Sequence, residues 1–427
     1  MATLSTITLG CKVNQYETEY LREGFLQLGY READSGELPD LCIINTCTVT
    51  AEGEARSRKL IRQFAKNNPQ AEIIVMGCYA SRAADEVAAM PGVAEVIADK
   101  RQLPEVLARR GLANVPSGIS TFRQRHRALV KVQDGCAMQC SYCIIPQVRP
   151  VLQSRPADDV LAEVRRLVDN DYREIVLVGI HLGHYGLESG TAGLTLARLV
   201  RRIAELPGEF RLRISSVEAT EITPELIRVV ADYPGRICPH LHIPMQSGAD
   251  AVLQLMRRRS SSREFVERCL AVAAALDQPA LTTDAIVGFP GETEDDFAAT
   301  CRVVEEIGFS KLHIFRFSPR QGTPAAEMPN PVQGRIQQRR AAELATLGRQ
   351  LRQRYCKSLL GRRLQVLVEG AAADRPGVLL CTSDRYVPVE FAGAADLVWR
   401  LVDVTAVEAV EGRLRCEVRS HLPPVDG

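Results

Sequence analysis

Hydrophobic and polar positions along the chain change period several times, and each change marks a different kind of element. Over residues 1–107 short apolar runs alternate with amphipathic stretches. Strands are predicted at Thr6 to Leu9, in LCIIN, in EIIVM and near Val93 to Ile97. Between them Tyr20, Leu21, Phe25 and Leu28 share one helical face, Leu60, Ile61 and Phe64 share another, and a further helix is predicted near Leu103 to Leu107. Alternating apolar strands and helices read as a parallel α/β sheet. The alternation resumes at Leu129 and runs to about Ser318, with strands predicted in ALVKV, EIVLVGI, RLRISSV, HLHIPM, TTDAIVGF and KLHIFRF. Six such units predict a partial βα barrel, since the complete eightfold barrel takes about 250 residues.

The connections differ in texture. Residues 108–127 hold Gly111, Pro116, Gly118 and a basic cluster, Arg123, Arg125, His126 and Arg127, and predict a linker. Residues 331–357 predict one helix. The stretch from Pro331 to Arg363 has eight Arg and one Lys against a single acid, Glu343, which raises the prospect of nucleic-acid contact. From Leu359 on, RRLQVLVEG, GVLLCTSDRYVPVEF and the stretch from Leu397 to Val418 read as strands with Gly, Asp and Pro turns. They predict a small OB-like β-barrel. The fold expected is therefore α/β: a parallel-sheet domain (1–107), a linker (108–127), a partial βα barrel (128–330), a basic helix (331–357) and a small β-barrel (358–420).

Composition narrows the function. With 46% hydrophobic and 25% charged residues, the 427-residue chain is globular rather than disordered. A net charge of +1 provides no global field for a polyanion, although only 7 of the 53 basic residues are Lys. Arg favours planar, bidentate contacts to phosphate and carboxylate. No run of 18 apolar residues exists, so no membrane-spanning helix is expected. The start, MATLSTITLGCKVNQYE, lacks a basic region followed by an apolar one, which points to a cytoplasmic protein. In a reducing cytoplasm the 13 Cys point to metal binding or catalysis rather than to disulfides.

The cysteines fall into two informative sets. Cys136, Cys140 and Cys143 have the spacing C-x3-C-x2-C directly after a predicted strand. Three thiolates on one loop suit three corners of a [4Fe–4S] cubane and leave one iron open to a cofactor or substrate. A zinc site would need a fourth nearby ligand, and a redox pair Cys140-Ser-Tyr-Cys143 would leave Cys136 surplus. Cys11, Cys47 and Cys78 lie at the carboxyl ends of three predicted strands, the edge where open α/β sheets bind ligands. Spacing alone leaves this triad open between a site and three core cysteines. Cys42, Cys238, Cys269, Cys301, Cys356, Cys381 and Cys416 read as structural thiols.

The motifs LGCKVNQYE, INTCTVT, MGCYA, GCAMQCSYCIIP, HLHIPMQSGAD, VGFPGET and FSPRQGTPAA together resemble the radical S-adenosylmethionine (SAM) methylthiotransferases. The resemblance covers residues 7–326, and the tail resembles more loosely the TRAM domain of that family. It implies two [4Fe–4S] clusters, one on Cys136, Cys140 and Cys143 and a second on Cys11, Cys47 and Cys78. SAM would chelate the open iron of the former and yield a 5′-deoxyadenosyl radical. Tyr142, Gly179, His181, Ser216, Glu218, Gln246, Gly288 and Gly291 are the expected cofactor contacts, with the glycines letting backbone approach the ligand. His184, His240 and His242 are expected to be ordinary polar or core residues. After Pro146 the chain departs from the family's Arg-Gly-x-x-Arg-Ser-Arg, and Arg149 and Arg155 are expected to contact cofactor or substrate phosphate.

The implied reaction replaces an unactivated C–H bond with C–S–CH3, which needs a radical rather than acid–base chemistry. The two clusters must then face one another across the substrate. GCKVNQYE, NTCTVT and GIHLGHYG are most similar to the branch that converts N6-threonylcarbamoyladenosine, next to the anticodon of tRNA, to its 2-methylthio derivative. The expected partners are the tRNA anticodon arm, SAM and an electron donor. The other branches act on isopentenyladenosine in tRNA or on an aspartate of a ribosomal protein. Outside that chemistry stands a non-catalytic RNA-binding or electron-transfer iron–sulfur protein.

Overall fold

A computed structural model describes residues 1–123, 127–188 and 194–418. Residues 124–126 of the expected linker and residues 419–420 of the expected tail domain lie outside the described residues. The first sheet contains β1 (Thr3–Thr8), β2 (Arg31–Glu32), β3 (Leu41–Thr46), β4 (Glu72–Gly77) and β5 (Val93–Ile97). Its order is β2-β1-β3-β4-β5, and every pairing is parallel. β3 is buried along its whole length, as expected for a central parallel strand covered on both faces. Cys11, Cys47 and Cys78 each directly follow, or lie close beyond, the carboxyl end of β1, β3 and β4.

The barrel begins with β6 (Arg127–Asp134) and continues through β7 (Gln153–Ser154), β8 (Glu174–Gly179), β9 (Arg211–Ile214), β10 (His240–His242), β11 (Ala280–Val287) and β12 (Lys311–Arg316). β6, β8 and β9 form one parallel wall and β10, β11 and β12 another. Parallel bridges Leu212↔Ile237 and Ser216↔His242 join the two walls. The six predicted units thus form a continuous but open arc, with the two-residue β7 antiparallel to β6 at one edge and β12 at the other.

The faces of the arc differ. Leu241, Ile243 and Ala285 pack into the main core, with Leu312 and Ile314 against it. Gly348, on the helix Gly334–Ser358, lies against Leu312, so this helix covers the outer face of β12. The opposite face carries His240, His242, Thr282, Asp284, Lys311 and His313. A complete βα barrel fills that space with layers of branched apolar side chains. Here it is lined by polar groups.

The tail forms a closed barrel of β13 (Arg363–Ala371), β14 (Val378–Ser383), β15 (Pro388–Ala392), β16 (Leu401–Val410) and β17 (Arg413–Val418). Closure removes exposed strand edges. This barrel docks beneath the first. Glu174, fully buried, is held by Arg127 (2.7 Å), Arg211 and Arg213 (2.8 Å). Arg211 donates on to the carbonyls of Gln365 (2.7 Å) and Thr382 (2.9 Å), and Arg213 to that of Asp384 (2.8 Å). The Tyr386 ring lies 4.8 Å from the Arg213 guanidinium carbon and 5.1 Å from the His240 ring.

The basic helix differs from the sequence expectation. Arg340 is buried on Glu292 (2.6 Å), Arg352 donates to the Gly412 carbonyl (2.7 Å), and Arg362 and Arg363 pair with Asp277 (2.7 Å) and Asp403 (2.6 Å). With Arg339 on Glu294 (2.7 Å) and Arg354 near Glu305 (4.0 Å), six of the eight arginines hold elements of this chain together rather than forming a free cationic stripe. Their partners come from distant sequence and were not visible in the local charge count.

Candidate active site: two cysteine triads at one interface

Two of the three strand-end turns that carry the first triad need left-handed backbone. Gly10 and Gly77 both have φ of +99°. A Cβ on Gly77 would lie 2.3 Å from the Thr46 carbonyl oxygen, so the β4 turn closes against β3 only without a side chain. A Cβ on Gly10 would lie 3.2 Å from the Cys47 sulfur. The turn before Cys11 thus lies directly beside Cys47. Cys11 caps the helix Lys12–Gln27, and Cys78 opens the helix Cys78–Arg82. Burial raises the Cys11 and Cys47 thiols above their ordinary value, and the charge of Cys78 adds to the rise at both. Arg149 and Arg320, respectively, pull the other way. Three thiols in one field satisfy a soft metal cluster better than three separate core positions would.

The second triad follows β6. Gly135 has φ of +80°, and a Cβ there would lie 1.9 Å from the Val151 carbonyl oxygen. Cys136 accepts from the Met138 N–H (3.4 Å) and lies 3.5 Å from His181 Nδ1. His181 Nε2 is 2.6 Å from Glu221, which also pairs with His184 at 3.1 Å, and the two imidazoles stack at 3.6 Å. Arg258 reaches Cys140 Sγ (3.8 Å) and pairs with Glu218. Burial pushes the Cys143 thiol up to about 12, so metal binding here must displace firmly held protons.

A recess opens on this triad. Tyr142, His181, Ser216, Glu218 and Gln246 line it together with the three cysteines and Arg258. Gln246 has φ of +69°, a left-handed conformation uncommon outside glycine, and is held there by backbone bonds to Asp284 (2.9 Å) and Ile286 (2.8 Å) of β11. Tyr142 packs edge-on to Phe289 with centroids 6.4 Å apart.

The two triads meet. Cys78 is buried in a cluster with Ile144 and Val148, on the segment directly after Cys143. From the far side of the barrel, Arg320 binds Thr48 and Glu54 beside Cys47, and Ala325 donates to the Ser141 carbonyl (2.8 Å). The FSPRQGTPAA loop therefore touches both cysteine loops.

Residues 130–304 match the Radical SAM superfamily and residues 3–99 match Uncharacterized protein family UPF0004. The chain is 38% identical to threonylcarbamoyladenosine tRNA methylthiotransferase MtaB of Bacillus subtilis, over 96% of this chain and 94% of that protein. The chain belongs to the radical SAM methylthiotransferase family. The protein of the same name from Thermotoga maritima is 36% identical over 92% of each chain. A tRNA-2-methylthio-N(6)-dimethylallyladenosine synthase from Corynebacterium efficiens is 32% identical over 97% of this chain and 81% of that one. Among solved structures, the radical SAM methyltransferase TsrM from Kitasatospora setae superposes with a TM-score of 0.54 at 14% identity, over 76% of each chain, and supports the fold alone. The cofactors of such a methylthiotransferase are SAM and [4Fe–4S] clusters, and the donor sets fit them: two groups of three thiols, with left-handed glycines directly before Cys11, Cys78 and Cys136.

Several residues expected near the cofactor of this methylthiotransferase also have close partners within the chain. Gly179, Gly288 and Gly291 do not line the recess with the other expected contacts. Gly179 admits Gln133, whose side-chain oxygen accepts from the His181 N–H (2.7 Å), and Gly288 admits Gln337 of the helix Gly334–Ser358. A side chain at either position would meet these neighbours. Arg149 and Arg155 are both paired within the chain. Arg149 is buried against Glu17 (2.8 Å), Asp134 (2.8 Å) and Asn14 (3.0 Å), and Arg155 binds Glu163 (2.5 Å) and Tyr16 (3.1 Å). Both lock the helix Lys12–Gln27 to the barrel. Arg258, Glu221 and Arg320 were missed in the sequence, because nothing local marks a charged residue whose partner is distant.

Proposed function

We propose that this chain is a tRNA methylthiotransferase that converts N6-threonylcarbamoyladenosine next to the anticodon to its 2-methylthio derivative. The observation that carries the reading is the burial of Cys78 against Ile144 and Val148, which brings the two cysteine triads to one interface. In this reading Cys136, Cys140 and Cys143 hold the SAM-cleaving cluster, and Cys11, Cys47 and Cys78 hold the second. When bound, SAM and the clusters supply a 5′-deoxyadenosyl radical and the methylated sulfur for transfer. The protein's own residues do the rest. Tyr142, Ser216, Glu218 and Gln246 position the cofactor in the recess, and Arg258 steadies Glu218 there. His181, anchored by Glu221, faces the Cys136 sulfur and fixes its direction. The ion network around Arg149 and Glu17 keeps the first sheet seated on the barrel.

Relatives named for threonylcarbamoyladenosine support the substrate, while those named for dimethylallyladenosine supply the rival. The test is nucleoside mass spectrometry of tRNA from cells with and without this gene. Loss of 2-methylthio-N6-threonylcarbamoyladenosine is expected. Loss of the isopentenyl derivative would favour the rival, and unchanged tRNA would leave a ribosomal-protein substrate or a non-catalytic role.

A further inference from the structure

The joint between the first sheet and the barrel holds a buried group of charges. Arg149 and Lys131 meet Glu17 and Asp134 there at 2.6 to 2.8 Å. Lys100 lines a cavity at the same joint, together with Asp134, Arg149, Ser81 and Val148. Only 6% of Lys100 is exposed. Its ammonium donates to the Ser81 hydroxyl and to the Val148 carbonyl (3.4 Å). Among the described residues no carboxylate lies within salt-bridge distance of it, and the adjacent Asp99 is taken by Arg101 (2.6 Å). Three cations therefore share two carboxylates at this joint. An ammonium withdrawn from water is costly unless a counter-charge compensates it.

Both acceptors of Lys100 lead to Cys78. Ser81 lies one turn after Cys78 on the helix Cys78–Arg82, and its hydroxyl also bonds the carbonyl of Gly77 (3.2 Å), the residue before Cys78. Val148, on the helix Ile145–Val148, packs in one cluster with Cys78. Burial and the charge of Arg149 lower the Lys100 pKa, and the charge of Cys78 pulls it back up. Arg149 in turn reaches Cys11, because its partner Asn14 (3.0 Å) also accepts from the Cys11 thiol (3.8 Å). The surplus positive charge thus borders the first triad.

We propose that Lys100 is a positioning residue of the second cluster site: its ammonium supplies the counter-charge for a cluster on Cys11, Cys47 and Cys78, and through Ser81 it holds the turn that carries Cys78. This rests on the assignment of that cluster above. A cubane on three thiolates carries net negative charge, and net charge is one of the quantities that set its potential. A fixed cation beside it favours the reduced, more negative form. Without the cluster, the buried ammonium is a cost to the fold. With the cluster, it is neutralised. Removing the charge should therefore spare the empty chain and weaken the loaded one, a split that a lysine with a merely structural role would not produce.

The experiment compares wild type, Lys100→Met, Lys100→Gln and Lys100→Arg as full chains, empty and anaerobically reconstituted. Three quantities are read: the thermal midpoint of the empty chain, the rate at which an iron chelator removes the second cluster, and the midpoint potential of that cluster by electron paramagnetic resonance. Lys100→Met is expected to leave the empty chain at least as stable as wild type. It should lose the second cluster about tenfold faster, and the potential should move to more negative values. Lys100→Gln keeps a donor for Ser81 without the charge and should follow Lys100→Met, whereas Lys100→Arg should follow wild type. If Lys100→Met does not fold, Lys100→Gln against Lys100→Arg makes the same comparison. A wild-type release rate and potential in the uncharged variants would overturn the proposal, whatever their effect on the empty chain. So would wild-type behaviour of Lys100→Gln alone, which would reduce the role to hydrogen bonding, or a potential shift confined to the Cys136 cluster. About four irons per chain in the wild type, unchanged in Cys78→Ala, would instead remove the second cluster itself and the proposal with it.

Discussion

Cys78 of the first sheet is buried against Val148 of the barrel, on the short helix that follows the Cys143 turn. A thiol from one domain thus packs beside the thiol loop of another, and neither triad can shift without disturbing its neighbour. The relationship brings both sets of cysteines, far apart in sequence, to one interface.

Replacing Cys78 with Ala should remove one cluster and spare the other. Iron content after anaerobic reconstitution is expected to fall from about eight to about four per chain. SAM cleavage to 5′-deoxyadenosine should persist, because the Cys136 loop is unaltered. Unchanged iron would mean that Cys78 is no ligand.

Gly135→Ala should damage the other triad. The added Cβ meets the Val151 carbonyl oxygen at 1.9 Å in a left-handed conformation, so the turn before Cys136 must open. Strain of this kind costs about 1–3 kcal/mol. Loss of the Cys136 cluster and of SAM cleavage is expected, with the second cluster still visible by electron paramagnetic resonance. Gly36→Ala, where φ is also positive but nothing lies within 4 Å, serves as the control and should retain both clusters.

The seating of the first sheet on the barrel should weaken in acid. Burial opposes the charge on Glu17, but Arg149 and Lys131 outweigh it and hold its carboxyl below the ordinary value. A depressed carboxylate stabilises the fold above its unfolded pKa, roughly 4.3, and that contribution is lost as pH falls through the folded value. Thermal midpoints should therefore hold from pH 7 to about 5 and then fall below it. Glu17→Gln should be destabilised by about 3–5 kcal/mol at pH 7, since Arg149 would lose its main buried partner, and its melting should change less between pH 5 and pH 3.

Tyr386→Ala tests the docking of the tail barrel. The ring bridges Arg213, Arg127 and His240, and its loss should cost about 2 kcal/mol. Limited proteolysis is expected to cleave faster between the helix Gly334–Ser358 and β13, while the cluster content stays unchanged. Equal proteolysis rates would show that the arginine–carbonyl bonds suffice for docking.

Much of the architecture was legible in the chain because its signals are local. Strand runs such as EIIVM and KLHIFRF show their period within a few residues, and C-x3-C-x2-C needs no partner elsewhere. The intrachain partners of Gly288 and Arg149 were not legible, for the opposite reason. A glycine reports only that some atom comes close, and the chain does not say beforehand that Gln337 is such an atom. An arginine reports only that it needs an acceptor, and Arg149 finds Glu17 across a domain boundary.

The sequence by itself determined the order of strands and helices, the two cysteine sets and the chemistry that thiol triads can support, because these follow from period, spacing and residue type. Tertiary structure alone decided which charges are neutralised and which are left over. Glu174 gathers three arginines, Arg320 crosses to Glu54, and Arg149 finds Glu17 on the helix Lys12–Gln27. The physical reason is that charge pairing depends on distance in space, and the fold sets those distances only once every element is packed.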